Sequence, residues 1–77
     1  MTEFNIIEFF GLIEAEGCIC LEEFQVDDES IKWYLSRNGN TKVCISATEE
    51  TMTIRTTIDL LKKLELGDLI ERLSLKA

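Results

Sequence analysis

Hydrophobic positions in the first segment of the chain recur with the period of an α-helix. They predict a helix from Thr2 to about Glu16. Thr2 is one candidate N-cap, and Asn5 marks a second start one turn later. Gly17 stands where a left-handed residue often ends a helix. The face expected to be buried carries Ile6, Phe9, Phe10 and Ile13.

Three shorter segments favour β-strands because they are rich in β-branched, aromatic and other apolar residues. They are Cys18–Phe24, Ile31–Ser36 and Thr41–Ala47. The acidic segment Gln25–Ser30 is predicted to be a loop between the first two strands. Asn38-Gly39 is a common hairpin turn sequence, so the second and third strands are expected to pair as a hairpin.

Two registers of this hairpin place different aromatic residues in the core. A two-residue turn would pair Trp33 with Cys44, whereas a type I turn with Gly39 as a left-handed bulge residue pairs Trp33 with Val43. The second register gathers the large apolar residues on one face, so we expect it. Because adjacent residues of a strand point to opposite faces, Trp33 is expected in the core and Tyr34 on the exposed face.

The last third of the chain is predicted to be helical after a loop over Thr48–Thr53. The helix is expected at about Ile54–Glu65, with a threonine of the loop as its N-cap. Gly67 is predicted to end it, and Asp68 with Glu71 has the spacing of a capping box for a short third helix. The positions of the longer helix expected to face inward are Ile54, Ile58, Leu61 and Leu64 or Leu60, and the short helix is expected to hold Leu69, Ile70 and Leu73.

These elements predict one α+β domain over residues 1–77, in the order αβββα(α). The three strands would form an antiparallel sheet with the helices packed on one face. The 77 residues suffice for one thin core, and no proline, repeat or linker divides them. The other face of the sheet would be left free for a partner.

Charge is distributed unevenly along the chain. The net charge is −7, and residues 1–31 carry nine acidic side chains and no lysine or arginine. All eight basic residues follow, together with only six acidic ones. A protein that neutralises phosphates is expected to be basic over the contacting face, so nucleic acid is disfavoured as a partner. Because self-repulsion destabilises a compact state, we interpret the bias as a surface used to bind a basic partner protein.

The residue types present give little support to catalysis or metal binding. The chain has no histidine, and its three cysteines (Cys18, Cys20 and Cys44) are expected to be reduced core residues. No spacing typical of zinc or calcium ligands is present. The sequence therefore predicts no metal, no cofactor and no enzymatic activity. No run approaches the ~18 apolar residues of a membrane span and no secretory signal pattern is present, so a cytoplasmic location is expected.

A helix ending at Gly17, Ser30 placed four residues before Tyr34, and the Asn38-Gly39 turn follow one another in this chain. This order resembles the HicA-type mRNA interferase toxins, also called the YcfA-like family, whose fold is related to the double-stranded RNA-binding domain. The similarity extends over about residues 2–73. It implies a HicA-like arrangement of one sheet and flanking helices.

The resemblance does not extend to the catalytic residue of that family. In active members a histidine follows a Gly-Ser pair and is thought to activate the RNA 2′-hydroxyl. Here Glu29 replaces the glycine and Ile31 occupies the position of the histidine. Isoleucine cannot exchange a proton, so the resemblance implies a degenerate copy that lacks this route to RNA cleavage. It also implies a toxin–antitoxin or phage–host setting.

Three functions remain compatible with the sequence. The leading expectation is a non-catalytic module that binds a basic protein through Glu22, Glu23, Asp27, Asp28 and Glu29. The second is a degenerate HicA-like RNA-binding protein or ribonuclease that contacts RNA with Lys32, Tyr34, Lys42 and Arg55. The third is a homodimer formed through the open side or an edge strand of the sheet.

Overall fold

A three-stranded antiparallel sheet and three helices make up most of the structure, a computed structural model that describes residues 3–77. The elements are β1 (Glu3–Asn5), α1 (Ile6–Ala15), β2 (Ile19–Val26), β3 (Glu29–Leu35), β4 (Lys42–Ala47), β5 (Thr51–Thr53), α2 (Ile54–Lys63) and α3 (Asp68–Arg72). The main sheet has the strand order β2-β3-β4, and β1 pairs with β5 in a second, smaller sheet. The α+β class and the antiparallel three-stranded sheet are those that the sequence predicts. Within residues 3–77, no helix is long and apolar enough to cross a membrane.

Helix α1 begins at the later of its two predicted starts. The side chain of Asn5 accepts hydrogen bonds from the backbone N–H groups of Ile7, at 2.9 Å, and Glu8, at 3.0 Å. Thr2, the other candidate N-cap, lies outside the described residues. Residues 3–5 form a strand that pairs with β5, where the sequence predicts a helix and a loop. A three-residue strand is too short to show a two-residue period, so this second sheet was not predictable from the pattern.

Strands β2 and β3 are longer than predicted and form a tight hairpin. The loop predicted over Gln25–Ser30 is wrong, because Val26 pairs with Glu29 and only Asp27 and Asp28 connect the strands. Asp27 has a φ of 55°, a left-handed conformation that aspartate adopts at a lower cost than most residues. Two acidic side chains therefore stand at the tip of the hairpin.

The hairpin of β3 and β4 adopts the other of the two registers, so the expected pairing of Trp33 with Val43 is wrong. Trp33 pairs with Cys44, and Tyr34 pairs with Val43. Tyr34 is consequently fully buried and Trp33 is partly exposed, the reverse of the prediction. The prediction gathers the large apolar residues of both strands on one face, but a buried tyrosine is stable when its hydroxyl has a hydrogen-bond partner. Here that hydroxyl donates a hydrogen bond of 2.6 Å to Glu14.

The core lies between the helices and one face of the main sheet. Tyr34, Val43 and Ile45 are the buried residues that β3 and β4 contribute. The ring of Phe10 in α1 stacks on Tyr34, with the ring centroids 5.8 Å apart. The helices contribute Ile6, Phe9, Phe10, Ile13, Ile54, Leu61 and Leu69. The stripe predicted for α1 is thus confirmed, and the core uses only one face of the sheet.

The end of α2 is fixed to the β3–β4 loop by polar side chains. Glu65, with a φ of 63°, is the left-handed residue after the helix, so the role predicted for Gly67 is wrong. The Glu65 carboxylate accepts hydrogen bonds from Ser36, Asn38 and Asn40 of that loop. The left-handed backbone of Glu65 is therefore accompanied by three polar contacts that a glycine could not make.

Helix α3 begins without the predicted capping box. Its N-cap is Gly67, which has no side chain, and Asp68 instead forms an ion pair of 3.2 Å with Arg37. Glu16 accepts from Arg37 at 2.9 Å and from Arg72 at 2.6 Å. These ion pairs join the ends of α1, β3 and α3. They lie at the end of the sheet away from the tip of the β2–β3 hairpin.

Candidate interaction surface

One face of the main sheet carries no helix within residues 3–77. Alternation along the strands identifies its side chains, because Tyr34, Val43 and Ile45 point to the helices and their neighbours point away. The pairing with β3 then assigns the residues of β2, with an irregularity between Cys20 and Glu22. We call this surface the open face. It consists of Ile19, Leu21, Glu22, Phe24, Val26, Glu29, Ile31, Trp33, Leu35, Lys42, Cys44 and Ser46.

The centre of the open face consists of exposed apolar side chains. The exposed fractions are 59% for Ile19, 41% for Leu21, 47% for Phe24, 48% for Val26 and 37% for Trp33. Single exposed apolar residues are ordinary on protein surfaces, but a contiguous group of them marks an interaction surface. These five residues lie on two neighbouring strands, so they form one group. Trp33 also lines a shallow depression with Leu21 and Lys42.

Four of the five acidic residues predicted to bind a partner lie on or beside the open face. Glu22 lies within it, paired with Trp33, and Asp27 and Asp28 form the turn at its end. Glu29 lies at the same end, where its carboxylate accepts a hydrogen bond of 2.7 Å from Ser46. The apolar centre is therefore flanked by negative charge at the hairpin end.

Glu23 lies on the reverse of the sheet, so the five acidic residues do not form one patch. Its carboxylate is 3.2 Å from the ammonium group of Lys32. Lys32 also lies over the ring of Phe10, with Nζ 4.2 Å from the centroid. Glu23 is mostly exposed, and ion pairs of this kind contribute between about 0 and 1 kcal/mol to stability. Its carboxylate is thus accessible from the free side of β2.

The four residues considered for nucleic-acid contact are not brought together. Tyr34 is fully buried, so the prediction of an exposed ring that stacks on a base is wrong. Lys32 lies on the helix side of the sheet, whereas Lys42 lies on the open face at the end away from the hairpin tip. Arg55 is exposed on α2, which packs on the reverse side. The four residues therefore do not form one contact surface, and the aromatic residue that lines a depression with Lys42 is Trp33 instead of Tyr34.

The three cysteines differ in their surroundings. Cys18 is buried, Cys20 is half-buried and Cys44 is exposed on the open face, so the core position predicted for Cys44 is wrong. Burial raises the pKa of the Cys18 thiol. Among residues 3–77, no three cysteine, aspartate or glutamate side chains are grouped so that they could hold a metal ion.

Sequence reasoning did not identify the apolar centre of the open face, and the irregularity at Leu21 explains why. Before it, Ile19 points to the open face, and after it Phe24 and Val26 do so. The pattern changes from odd to even positions, so a strict two-residue period fits only part of the strand. The sequence signal that could have indicated the apolar centre is the alternation of Phe24 and Val26 directly before the acidic turn.

The open face combines an apolar centre with charge at both ends. Acidic side chains lie at the hairpin tip, and Lys42 lies at the other end of the sheet. Protein interfaces commonly have such an apolar centre with a polar rim. No known protein family, curated protein or solved structure matches this chain.

Proposed function

We propose that this protein is a non-catalytic interaction module that binds another protein on the open face. The observation that carries the proposal is the contiguous exposure of Ile19, Leu21, Phe24, Val26 and Trp33. Covering such side chains contributes roughly 25 cal/mol for each Å² of apolar area removed from water. The core is formed on the other face of the sheet, so the fold itself gives no reason for this group.

The partner that fits has basic residues around an apolar contact. Asp27 and Asp28 flank the apolar centre at the hairpin end, Glu22 lies within the open face beside Trp33, and within residues 3–77 none of the three forms an ion pair. Acidic groups without a local counter-charge attract a basic partner and raise its rate of association. The acidic residues of the hairpin therefore favour a partner whose contacting surface is positively charged.

The resemblance to the HicA-type family extends the proposal to a setting. Ile31, at the position of the family's histidine, is part of the open face, which supports a role in binding rather than in RNA cleavage. A copy of this kind would act in the cytoplasm, in a toxin–antitoxin or phage–host context. There it would cover the basic, nucleic-acid-binding surface of another protein by charge mimicry.

Capture experiments with matched charge variants test the proposal. Tagged protein is incubated with a cell lysate and, separately, with labelled structured RNA, each at low and moderate salt. We expect a specific basic protein and no RNA. The double variant Asp27→Lys/Asp28→Lys should lose that protein, whereas Lys62→Glu/Lys63→Glu, which reverses two exposed charges on α2, should retain it.

Two outcomes would contradict the proposal. RNA retention that weakens steeply with salt would favour the RNA-binding alternative, because phosphate contacts release counterions. A doubled mass in solution with no captured protein would favour the homodimer.

A further inference from the structure

Strand β2 has backbone groups that no other strand within residues 3–77 binds, because it pairs with β3 on one side only. The N–H of Ser36 donates to the carbonyl of Thr41 at 2.8 Å, which makes these two residues a hydrogen-bonded pair of the β3–β4 hairpin. Such pairs alternate along antiparallel strands, so Trp33 directs its backbone groups to β2. By the same alternation, Phe24 and Val26 of β2 direct their backbone groups to β3. The residues next to them, Glu23 and Gln25, therefore direct theirs to the free edge.

The turn at the hairpin tip leads to the same assignment. A two-residue turn closes on a hydrogen-bonded pair, here Val26 and Glu29. Counting back from Val26, Gln25 faces the free edge, Phe24 faces β3 and Glu23 faces the free edge. The two counts start at opposite ends of β3 and agree.

The other edge of the sheet is less open to an added strand. By the same alternation, Lys42, Cys44 and Ser46 are the residues of β4 whose backbone N–H and C=O groups point away from β3. Cys44 and Ser46 share a cleft with Met52 of β5, so β5 flanks this edge. A lysine on an edge strand also discourages pairing with another chain. Neither feature is present along β2, whose exposed residues are apolar or acidic except for Gln25.

We propose that β2 binds an extended segment of another protein as a fourth strand of the main sheet, and that this segment alternates apolar residues with lysine or arginine. Side chains of an added strand fall alternately on the two faces. Those beside Phe24 and Val26 lie on the open face, where apolar residues would extend the apolar centre. Those beside Glu23 and Gln25 lie on the reverse, where the exposed Glu23 carboxylate favours a basic residue. This inference rests on the proposed function, because it names how the basic partner docks.

A second copy of this chain is a poor occupant of the same edge. Pairing β2 with β2 would bring the acidic side chains of both copies, Glu22, Glu23 and those of the adjoining turn, to one seam. Like charges across a strand pair are destabilising, and each chain carries a net charge of −7. A basic segment of another protein has the opposite sign.

Synthetic peptides test the inference without knowledge of the natural partner. The probe is a short blocked peptide in which lysine alternates with valine, and the control peptide has the same composition in two blocks. Affinity and amide hydrogen exchange are followed by NMR. We expect the alternating peptide to bind about tenfold more tightly than the control, because only alternation places every valine on the open face and every lysine on the side of Glu23. It should also slow exchange at the Glu23 and Gln25 amides.

Two substitutions of Gln25 test the free edge of β2. Gln25→Pro removes an N–H that makes no hydrogen bond within the sheet, whereas Gln25→Ala keeps this N–H. With folding checked by circular dichroism, Gln25→Pro should lose the discrimination between the peptides and Gln25→Ala should keep it. If Gln25→Pro does not fold, slowed exchange in the wild-type protein still decides the outcome.

Two results would overturn strand addition. One is binding that persists in folded Gln25→Pro and perturbs Trp33 without slowing exchange at Glu23 and Gln25. This result would leave the open face as the binding surface and so would preserve the proposed function. The other is equal or absent binding of both peptides, in which case capture through Asp27 and Asp28 decides the proposed function independently.

Discussion

The hydroxyl of Tyr34 donates a hydrogen bond of 2.6 Å to a carboxylate oxygen of Glu14, across the contact between β3 and α1. This bond satisfies the one polar group that Tyr34 brings into the core. With Tyr34 held under α1, strand alternation directs Trp33 to the open face. The identity of the exposed aromatic residue, and so the apolar character of the open face, follows from this pair.

The contribution of this hydrogen bond can be separated from that of the ring. Tyr34→Phe keeps the ring and removes the donor, and the exposed Glu14 carboxylate can bind water instead. We expect Tyr34→Phe to lower the free energy of unfolding by about 1–2 kcal/mol. Tyr34→Ala also leaves a cavity beside Phe10 and should cost about 3–5 kcal/mol. Urea denaturation measures both, and equal losses in the two variants would contradict the packing described here.

Stability should also fall at alkaline pH. Burial, together with the hydrogen bond to Glu14, raises the pKa of Tyr34 well above its ordinary value. A group whose pKa is raised by folding contributes stability that is present below the unfolded-state pKa, about 10, and is lost as the pH rises beyond it. Tyr34 is the only tyrosine, so tyrosinate absorbance should appear together with the loss of the circular dichroism signal. Tyrosinate in a still-folded protein near pH ~10 would contradict its burial.

At the other end of the pH scale, Glu65 should contribute to acid sensitivity. Hydrogen bonds from Ser36 and Asn38 lower the pKa of its carboxyl group. A lowered folded-state pKa gives stability that is present above the unfolded-state value, about 4.3, and is lost as the pH falls through the folded-state pKa. Glu65→Gln should therefore be less stable than the wild type at pH 7 and should lose less stability on acidification. Chemical denaturation at several pH values between ~5 and ~3 measures this loss. A free energy of unfolding that falls with pH as steeply in Glu65→Gln as in the wild type would argue against this role.

Thiol reactivity provides an independent test of the strand faces. Cys44 is exposed on the open face, whereas Cys18 is buried and its pKa is raised by that burial. Since the thiolate is the reactive form, Cys44 should be alkylated first and Cys18 last. Pulse alkylation followed by peptide mass spectrometry measures the order. Equally rapid labelling of Cys18 would place it outside the core.

A bulky maleimide on Cys44 gives a functional readout at the same site. The label would stand next to Trp33, because the two residues are paired across β3 and β4. We expect it to block capture of the partner protein. Capture that persists after complete labelling of Cys44 would remove this part of the open face from the interface.

The helices and the fold class were predictable from the sequence because they depend on local spacing. The buried stripe of α1 and the left-handed Gly17 needed only a 3.6-residue period and a glycine at its end. The faces of the strands were not predictable in this way. They depend on Glu14 meeting Tyr34 from another element, and on an irregularity at Leu21 that no local pattern indicates.

The candidate site was predictable in its charge and not in its apolar centre. The acidic bias of the first 31 residues led to Asp27 and Asp28, which the structure places at a hairpin tip beside the open face. The same reasoning grouped Glu23 with them, although it lies on the reverse of the sheet. Charge along the chain carries no information about which face a strand residue occupies. That information comes from the register.

The central claim, that the open face binds a partner protein, is tested most directly by two matched substitutions. Trp33→Ser removes an aromatic side chain at the centre of the open face, and Ile7→Ser removes an apolar side chain of α1 that is more exposed, 71% against 37%. Both variants are compared with the wild type for affinity toward the captured partner. We predict a loss of about tenfold or more for Trp33→Ser and less than about twofold for Ile7→Ser. Wild-type affinity in Trp33→Ser, with or without a loss in Ile7→Ser, would contradict the claim.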